Sequence, residues 1–273
     1  MADFSIIDGE CAHHLHNRKS CIPKDITEKI AHVLGISNET EKHIIDEAKS
    51  KLNCDTEVCV LQNYKVQDKL GYGLIARLLH DNFKPFGPRE NWKEWLSDSN
   101  IDENLKQFAK LPDCLHFHPI PFQMRDFQEY ETELATINFK QKYDSGCKTF
   151  GVVLNTDYST GKGMHWFAIF LDFRMEPFTI EYFNSSGEKA LPEIKEWMIK
   201  TKHKLQMLFS KPICDIEVSK IQHQFDNSSC GVYSIYYIYS RLKNIPWKTF
   251  QDTRVSDKKM HDFRIFLFNE KKN

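Results

Sequence analysis

The 273-residue chain carries 37 Lys plus Arg against 38 Asp plus Glu, which is neither the basic surplus of a nucleic-acid-binding surface nor the acidic surplus of a solvating tail. Aromatic residues at 13% and charged residues at 27% fit a folded chain with a substantial core and exclude wholesale disorder. No apolar run is long enough to cross a bilayer, and Met1 to Asp8 lack the basic start and apolar stretch of a secretory signal, so the chain reads as not secreted and without a membrane span.

Residues 1 to 82 read as a mostly α-helical arm domain. Asp25, with Glu28 three residues on, looks like a capping-box start, and Gly35 a stop. Ser37 to Leu52 repeats the helical period through Ile44, Ile45, Ala48 and Leu52, and Gln67 to Leu79 predicts a third helix. The eight cysteines (11, 21, 54, 59, 114, 147, 214 and 230) are scattered irregularly and, without a secretory signal, read as reduced thiols in a cytosol-like compartment. Cys11, His13, His14, His16 and Cys21 crowd one stretch, and Cys54 and Cys59 just fit a zinc-type spacing; zinc and plain buried thiols with surface histidines are both open, and no metal is assigned.

Asn82 to Arg89, with two prolines and a glycine, marks the boundary to a second domain over 83–273. Ile101 to Ala109 predicts a short helix, and Leu111 to Met124 a proline-marked irregular segment. From Thr149 the pattern turns to strands: Phe150–Leu154, His165–Phe173 and Phe178–Phe183 are nearly continuous apolar runs, as in central strands covered on both faces. Pro192 opens a long helix through Ile194, Trp197, Met198, Thr201, Leu205 and Leu208. Ile213–Val218 predicts a strand and Asp257–Phe268 a terminal helix. The fold class is α+β, a small central sheet flanked by helices.

The chemistry concentrates at Gln224 to Gly231. A polar loop ends at Cys230, and Ile235, Ile238, Tyr239 and Leu242 follow at helical spacing, so Cys230 should stand at the first turn of a buried helix crossing the sheet. Free N–H groups and the helix dipole there favour thiolate, which predicts that Cys230 alkylates faster than the other cysteines; alone, it could equally be a small buried hydrophobe. A cysteine nucleophile needs a base and a group to orient it. His165 opens one strand and Asn184 ends the next, so the two can meet. Cys230 N–H offers one oxyanion donor, and Gln224 or Asn227 the other.

His165-Trp166, the strand end Tyr182-Phe183-Asn184-Ser185 and Gln224-(x₅)-Cys230-Gly231 resemble the His, Asp/Asn, Gln and Cys motifs of the Ulp1/adenain-type cysteine proteases, the clan of the SUMO-specific proteases and the adenovirus maturation protease. Asn155–Gly161, Ile180–Ser185, Phe86–Arg89 and the chain length are further similar to the polyprotein-processing proteases of asfarvirus-like large DNA viruses. The resemblance implies an Ulp1/adenain-like core with a helical arm. It also implies an endopeptidase cutting viral structural polyprotein precursors after Gly-Gly during virion maturation, in the host cytoplasm and the virion. In it Cys230 is the nucleophile, His165 the base, Asn184 its orienting partner and Gln224 or Asn227 the oxyanion donor. Trp166 covers a diglycine tunnel, Asn155 touches substrate, and no cofactor is required. Near-neutral charge argues against nucleic acid as a partner. Two departures stand out: Asn184 where SUMO proteases carry Asp, and Ser229 where they carry Asp before the cysteine. A deconjugase of ubiquitin-like modifiers, an acyltransferase with the same residues, and a silent binder of Gly-Gly tails are the competing readings.

Overall fold

The structure is a computed structural model that describes residues 1–4, 9–15, 18–37 and 40–270. It divides into two compact units, one of Ile7–Phe86 and one of Met1–Ile6 with Gly87–Asn273. His16, counted above with the possible metal ligands, lies outside the described residues.

The smaller unit packs α1 (Lys24–Leu34), α2 (Glu41–Leu52), α3 (Glu57–Gln62), α4 (Tyr64–Leu70) and α5 (Tyr72–Asn82) around Ile30, Ile44, Ala48, Val60, Leu61, Val66 and Ile75. Asp25 is not a cap: α1 starts one residue earlier, after Pro23, leaving Asp25 inside the first turn, while Gly35 closes the helix at φ 59° as its freedom from a Cβ allows. The helix predicted over Gln67–Leu79 is two helices, broken at Gly71 with φ 88°. The short α3 carried too few turns to show a period. Thr40 and Thr56 cap α2 and α3 by accepting from His43 N and Cys59 N.

The expectation of eight reduced thiols fails here. Cys11 is bonded to Cys21 and Cys54 to Cys59, leaving Cys114, Cys147, Cys214 and Cys230 free. Asn53, at φ 53°, ends α2 and turns the chain so that Cys54 and Cys59 stand 5.5 Å apart between Cα atoms, within bridging range. These sulfurs therefore serve one another rather than zinc, and among the described residues no cluster of three metal-ligating side chains occurs.

The larger unit contains, in order, α6 (Asp98–Phe108), β1 (Phe117–Pro119), β2 (Gln123–Met124), α7 (Glu133–Thr136), α8 (Phe139–Asp144), β3 (Thr149–Asn155), β4 (Trp166–Asp172), β5 (Phe178–Phe183), α9 (Pro192–Phe209), β6 (Ile213–Glu217), α10 (Cys230–Leu242), α11 (Thr249–Asp252) and α12 (Asp257–Leu267). The sheet runs β1-β3-β4-β5-β6, with β2 also pairing along β3. β4 is antiparallel to both its neighbours, β3 and β5, and the remaining pairings are parallel. The proline-marked segment read as irregular thus holds two edge strands, where a residue without an N–H such as Pro119 is tolerated.

Alternation along the strands separates two cores. Val152, Leu154, Phe167, Ile169, Leu171, Ile180 and Tyr182 share one with Ile194, Trp197, Met198 and Leu205 of α9. Val153, Trp166, Ala168, Phe170 and Phe183 share the other with α6, α10 and α12. Every residue of α10 is buried. It lies so close to the sheet that a Cβ at Gly151 would come within 3.1 Å of Ile238. Met1 to Phe4 also belong to this unit rather than to the arm: Tyr236 Oη donates to Ala2 O at 2.9 Å, and Phe4 packs edge-on against Phe263.

One polar group breaks the apolar face beneath α10. Glu181, fully buried, accepts from Tyr237 Oη at 2.6 Å, Arg241 Nε at 2.7 Å and Thr179 Oγ1 at 2.6 Å. Arg241 also reaches Asp172 at 3.0 Å. This charge pair fixes the angle and register of α10 on the sheet. Glu181→Leu should cost about 3–5 kcal/mol in urea unfolding by leaving the buried arginine with Asp172 as its remaining carboxylate and Tyr237 Oη without its acceptor, and adding Arg241→Met should recover most of that loss.

Candidate active site

The antiparallel register assembles the site. Asn155 pairs with Trp166, and Ala168 with Phe183, so the end of β3, the start of β4 and the end of β5 lie at one end of the sheet. His165 and Asn184 are the next residues outward. His165 Nε2 and Asn184 Oδ1 are 2.7 Å apart. The donor is identifiable. Asn184 Oδ1 also lies 3.0 Å from the backbone N–H of Ser186, which can only donate, so the atom there is the carbonyl oxygen. His165 Nε2 must then carry the proton, and in the neutral ring Nδ1 is left as the base. Asn184 is itself 1% exposed and held by Tyr182 Oη, which accepts from Nδ2 at 3.2 Å, and by Ser219 Oγ, which accepts its backbone N–H.

Cys230 is the first residue of α10 and is 2% exposed. The N–H groups of Trp166, Gly231 and Cys230 itself point at its sulfur, which puts the nucleophile candidate beside the residue following His165. No hydrogen bond joins Cys230 to His165 among the described residues; such contacts commonly tighten when substrate binds. The expectation that the helix start favours thiolate meets an opposing effect. Burial pushes the thiol up to about 11, outweighing the amides and helix terminus that pull it down, and Asp226 adds to the rise.

Trp166 is 7% exposed and lies flat enough on α10 that a Cβ at Gly231 would meet its Cδ1 at 3.2 Å and Leu96 Cβ at 3.2 Å. Its Nε1–H donates to Leu96 O at 3.2 Å, and Phe122 packs edge-on against it. Asn155 is buried, and its Oδ1 accepts from Asp157 N and Met164 N, at 3.0 and 2.9 Å. Thr156 N–H donates to His165 O at 2.8 Å. In this state Asn155 shapes the loop that delivers His165, and its carbonyl is committed there rather than to a ligand.

The two oxyanion candidates differ sharply. Gln224 is buried: Oε1 accepts from Ser185 Oγ at 2.7 Å, and Nε2 donates to Asp226 O and Oδ1 at 3.0 and 3.1 Å. Asn227 is exposed, with no side-chain hydrogen bond among the described residues. Two residues of the site gave no distinctive signal in sequence. Asp226 sits among small polar residues and carries no mark of its role. Arg264, in α12 and fully buried, donates to the carbonyls of Asn91, Glu94 and Ser228 at 3.1, 2.7 and 3.4 Å, tying the segment before α6 to the loop before Cys230.

No family model matches the chain. The chain is 34% identical to the SUMO-1 cysteine protease of a Kenyan pig isolate of African swine fever virus, over 95% of this chain and 94% of the relative. Identity and coverage are the same for the cysteine protease of the Vero-adapted Badajoz strain. Its fold superimposes on the crystal structure of the African swine fever virus protease with a TM-score of 0.80 and 32% identity, covering 96% of each chain. Fold and relatives together define a cysteine protease of the SUMO-protease type. More particularly, the chain belongs to the family of the African swine fever virus SUMO-1 cysteine protease.

The buried thiol has a direct consequence. A raised thiol yields thiolate only as pH climbs, so iodoacetamide modification of Cys230 in the native chain should accelerate roughly tenfold per unit from about pH 8 to 10. Peptide mass spectrometry against the denatured chain checks this; a rate already on a plateau at pH 7 would reveal a resting thiolate instead.

Proposed function

We propose that the chain is an endopeptidase that cleaves after Gly-Gly in viral structural polyproteins during virion maturation, acting at assembly sites in the host cytoplasm and within the virion. The observation that carries the mechanism is the His165–Asn184 hydrogen bond, because it leaves the imidazole in the tautomer a general base needs. Cys230 Sγ attacks the carbonyl carbon of the second glycine while its proton passes to His165 Nδ1. Moving the proton during attack suits a buried thiol, since no unpaired thiolate has to be sustained beforehand. The developing oxyanion is met by the Cys230 N–H and by one N–H of Gln224. His165 then protonates the leaving amine, the thioester forms, and water activated by the same nitrogen releases the acid.

Asn184 supplies orientation and a carbonyl dipole, not a charge, so imidazolium is less stabilised here than beside a carboxylate. The tight packing of Trp166 and Leu96 over Gly231 leaves little room beside Cys230, which favours small residues next to the scissile bond. The chain's relatives favour a second substrate class to be tested beside the polyprotein, a SUMO fusion, because the similar African swine fever virus protein is called a SUMO-1 cysteine protease.

Incubating the purified chain with a Gly-Gly-X peptide, a structural polyprotein precursor and a SUMO fusion tests the reading. Peptide and precursor should be cut, Cys230→Ser and His165→Ala should lower turnover at least about 10³-fold, and Asn184→Ala about 10–10²-fold. Cleavage of the fusion alone would replace the polyprotein reading with deconjugation, and cysteine-independent cleavage, or none, would overturn it.

A further inference from the structure

The loop between Gln224 and Cys230 is organised by a single carboxylate. Asp226 Oδ1 accepts from the N–H groups of Ser228 and Ser229 at 3.1 and 2.9 Å and from Gln224 Nε2 at 3.1 Å. Oδ2 accepts from Ser229 Oγ at 2.6 Å and lies 3.3 Å from His261 Nε2. The backbone carbonyl of the same residue takes Gln224 Nε2 a second time, at 3.0 Å. Gln224 is strapped from the other side as well, since its N–H and that of His223 donate to Ser185 O at 3.0 and 2.8 Å. Burial alone would raise Asp226, but the Ser229 and Ser228 donors and His261 hold its carboxyl below the usual range, so it is ionised at neutral pH.

We infer that Asp226 is a positioning residue for the nucleophile loop and the holder of the Gln224 amide, an inference that rests on the protease reading above. The loop offers this carboxylate more donors than one oxygen can take. A carboxylate oxygen has about two lone-pair directions, and Oδ1 is offered three donors. The two backbone donors are fixed by the turn; the Gln224 N–H is the one that can leave. Its departure leaves Asp226 with the two backbone amides, the Ser229 hydroxyl and His261, and leaves Gln224 still held by Ser185 Oγ and by the Asp226 carbonyl. One Gln224 N–H is therefore transferable to an incoming oxyanion while the other keeps the side chain aimed. By consuming the N–H groups of Ser228 and Ser229, Asp226 also leaves the Cys230 N–H as the next donor along the chain.

The test is a double-mutant cycle on the full chain with a Gly-Gly-X peptide. Asp226→Ala and Gln224→Ala should each lower kcat about 10–10²-fold with KM within about threefold, and the double variant should be no more than about twofold worse than the poorer single one, since the two act through one donor. Additive losses, an unchanged kcat or an effect on KM alone would overturn the inference. A readout without turnover keeps its failure distinct from failure of the protease reading. Asp226→Asn can keep an acceptor for Ser228 and Ser229 while removing the negative charge near Cys230. Cys230 alkylation at pH 8 should then rise about three- to tenfold, with thermal melting close to that of the parent. An unchanged rate would overturn the role assigned to the carboxylate even if the chain proves not to cleave Gly-Gly-X; absent cleavage with a raised rate would overturn only the protease reading.

Discussion

The carbonyl of Asn184 is the atom on which the site turns. It accepts from Ser186 N–H and Ser186 Oγ at 3.0 and 2.9 Å, and those bonds fix which end of the amide faces His165. Once that is fixed, the imidazole has no choice of tautomer, and the nitrogen left bare is the one available as a base. The bond at 2.7 Å exists because three antiparallel strands end in register at the same end of the sheet. The sheet is held to α10 by the buried Glu181–Arg241 pair. The chemistry and the fold thus share one framework, running from a charge pair at the last turn of the helix to the hydrogen bond beyond its first residue.

Two effects compete at Cys230, and their sizes decide the resting state. A helix N-terminus lowers a thiol by offering partial positive charge and unpaired amides. Here three amides face the sulfur, yet a residue 2% exposed loses nearly all hydration of its anion, and the thiol rises to about 11. Desolvation wins. A thiol raised in this way suits the proposed transfer of its proton to His165 during attack, and the packing of Trp166 and Leu96 around the helix start disfavours the free anion.

Much of this was legible in sequence, for identifiable reasons. Central strands announce themselves as continuous apolar runs, and α10 as an apolar period starting at a cysteine, so β3, β4, β5 and α10 were read within a residue or so. His165 and Asn184 followed from being the residues at strand ends. What was missed depends on long-range partners. Glu181 looks like any polar interruption until Arg241, sixty residues on, is seen reaching down from α10 to meet it. Arg264 looks like a surface cation until four carbonyls converge on it. The edge strands β1 and β2 exist because β3 offers a partner, a fact not written in their own proline-rich composition. The two disulfides were misread because compartment was inferred from the missing signal, whereas the local turn at Asn53 decides whether Cys54 meets Cys59.

The account's central claim concerns which nitrogen of His165 holds the proton, and ¹⁵N NMR of selectively labelled histidine in the resting chain reads that directly. In the neutral ring the proton is expected on Nε2 with Nδ1 bare, a preference that weakens in Asn184→Ala. A resting His165 protonated on Nδ1, or one indifferent to Asn184, would contradict it.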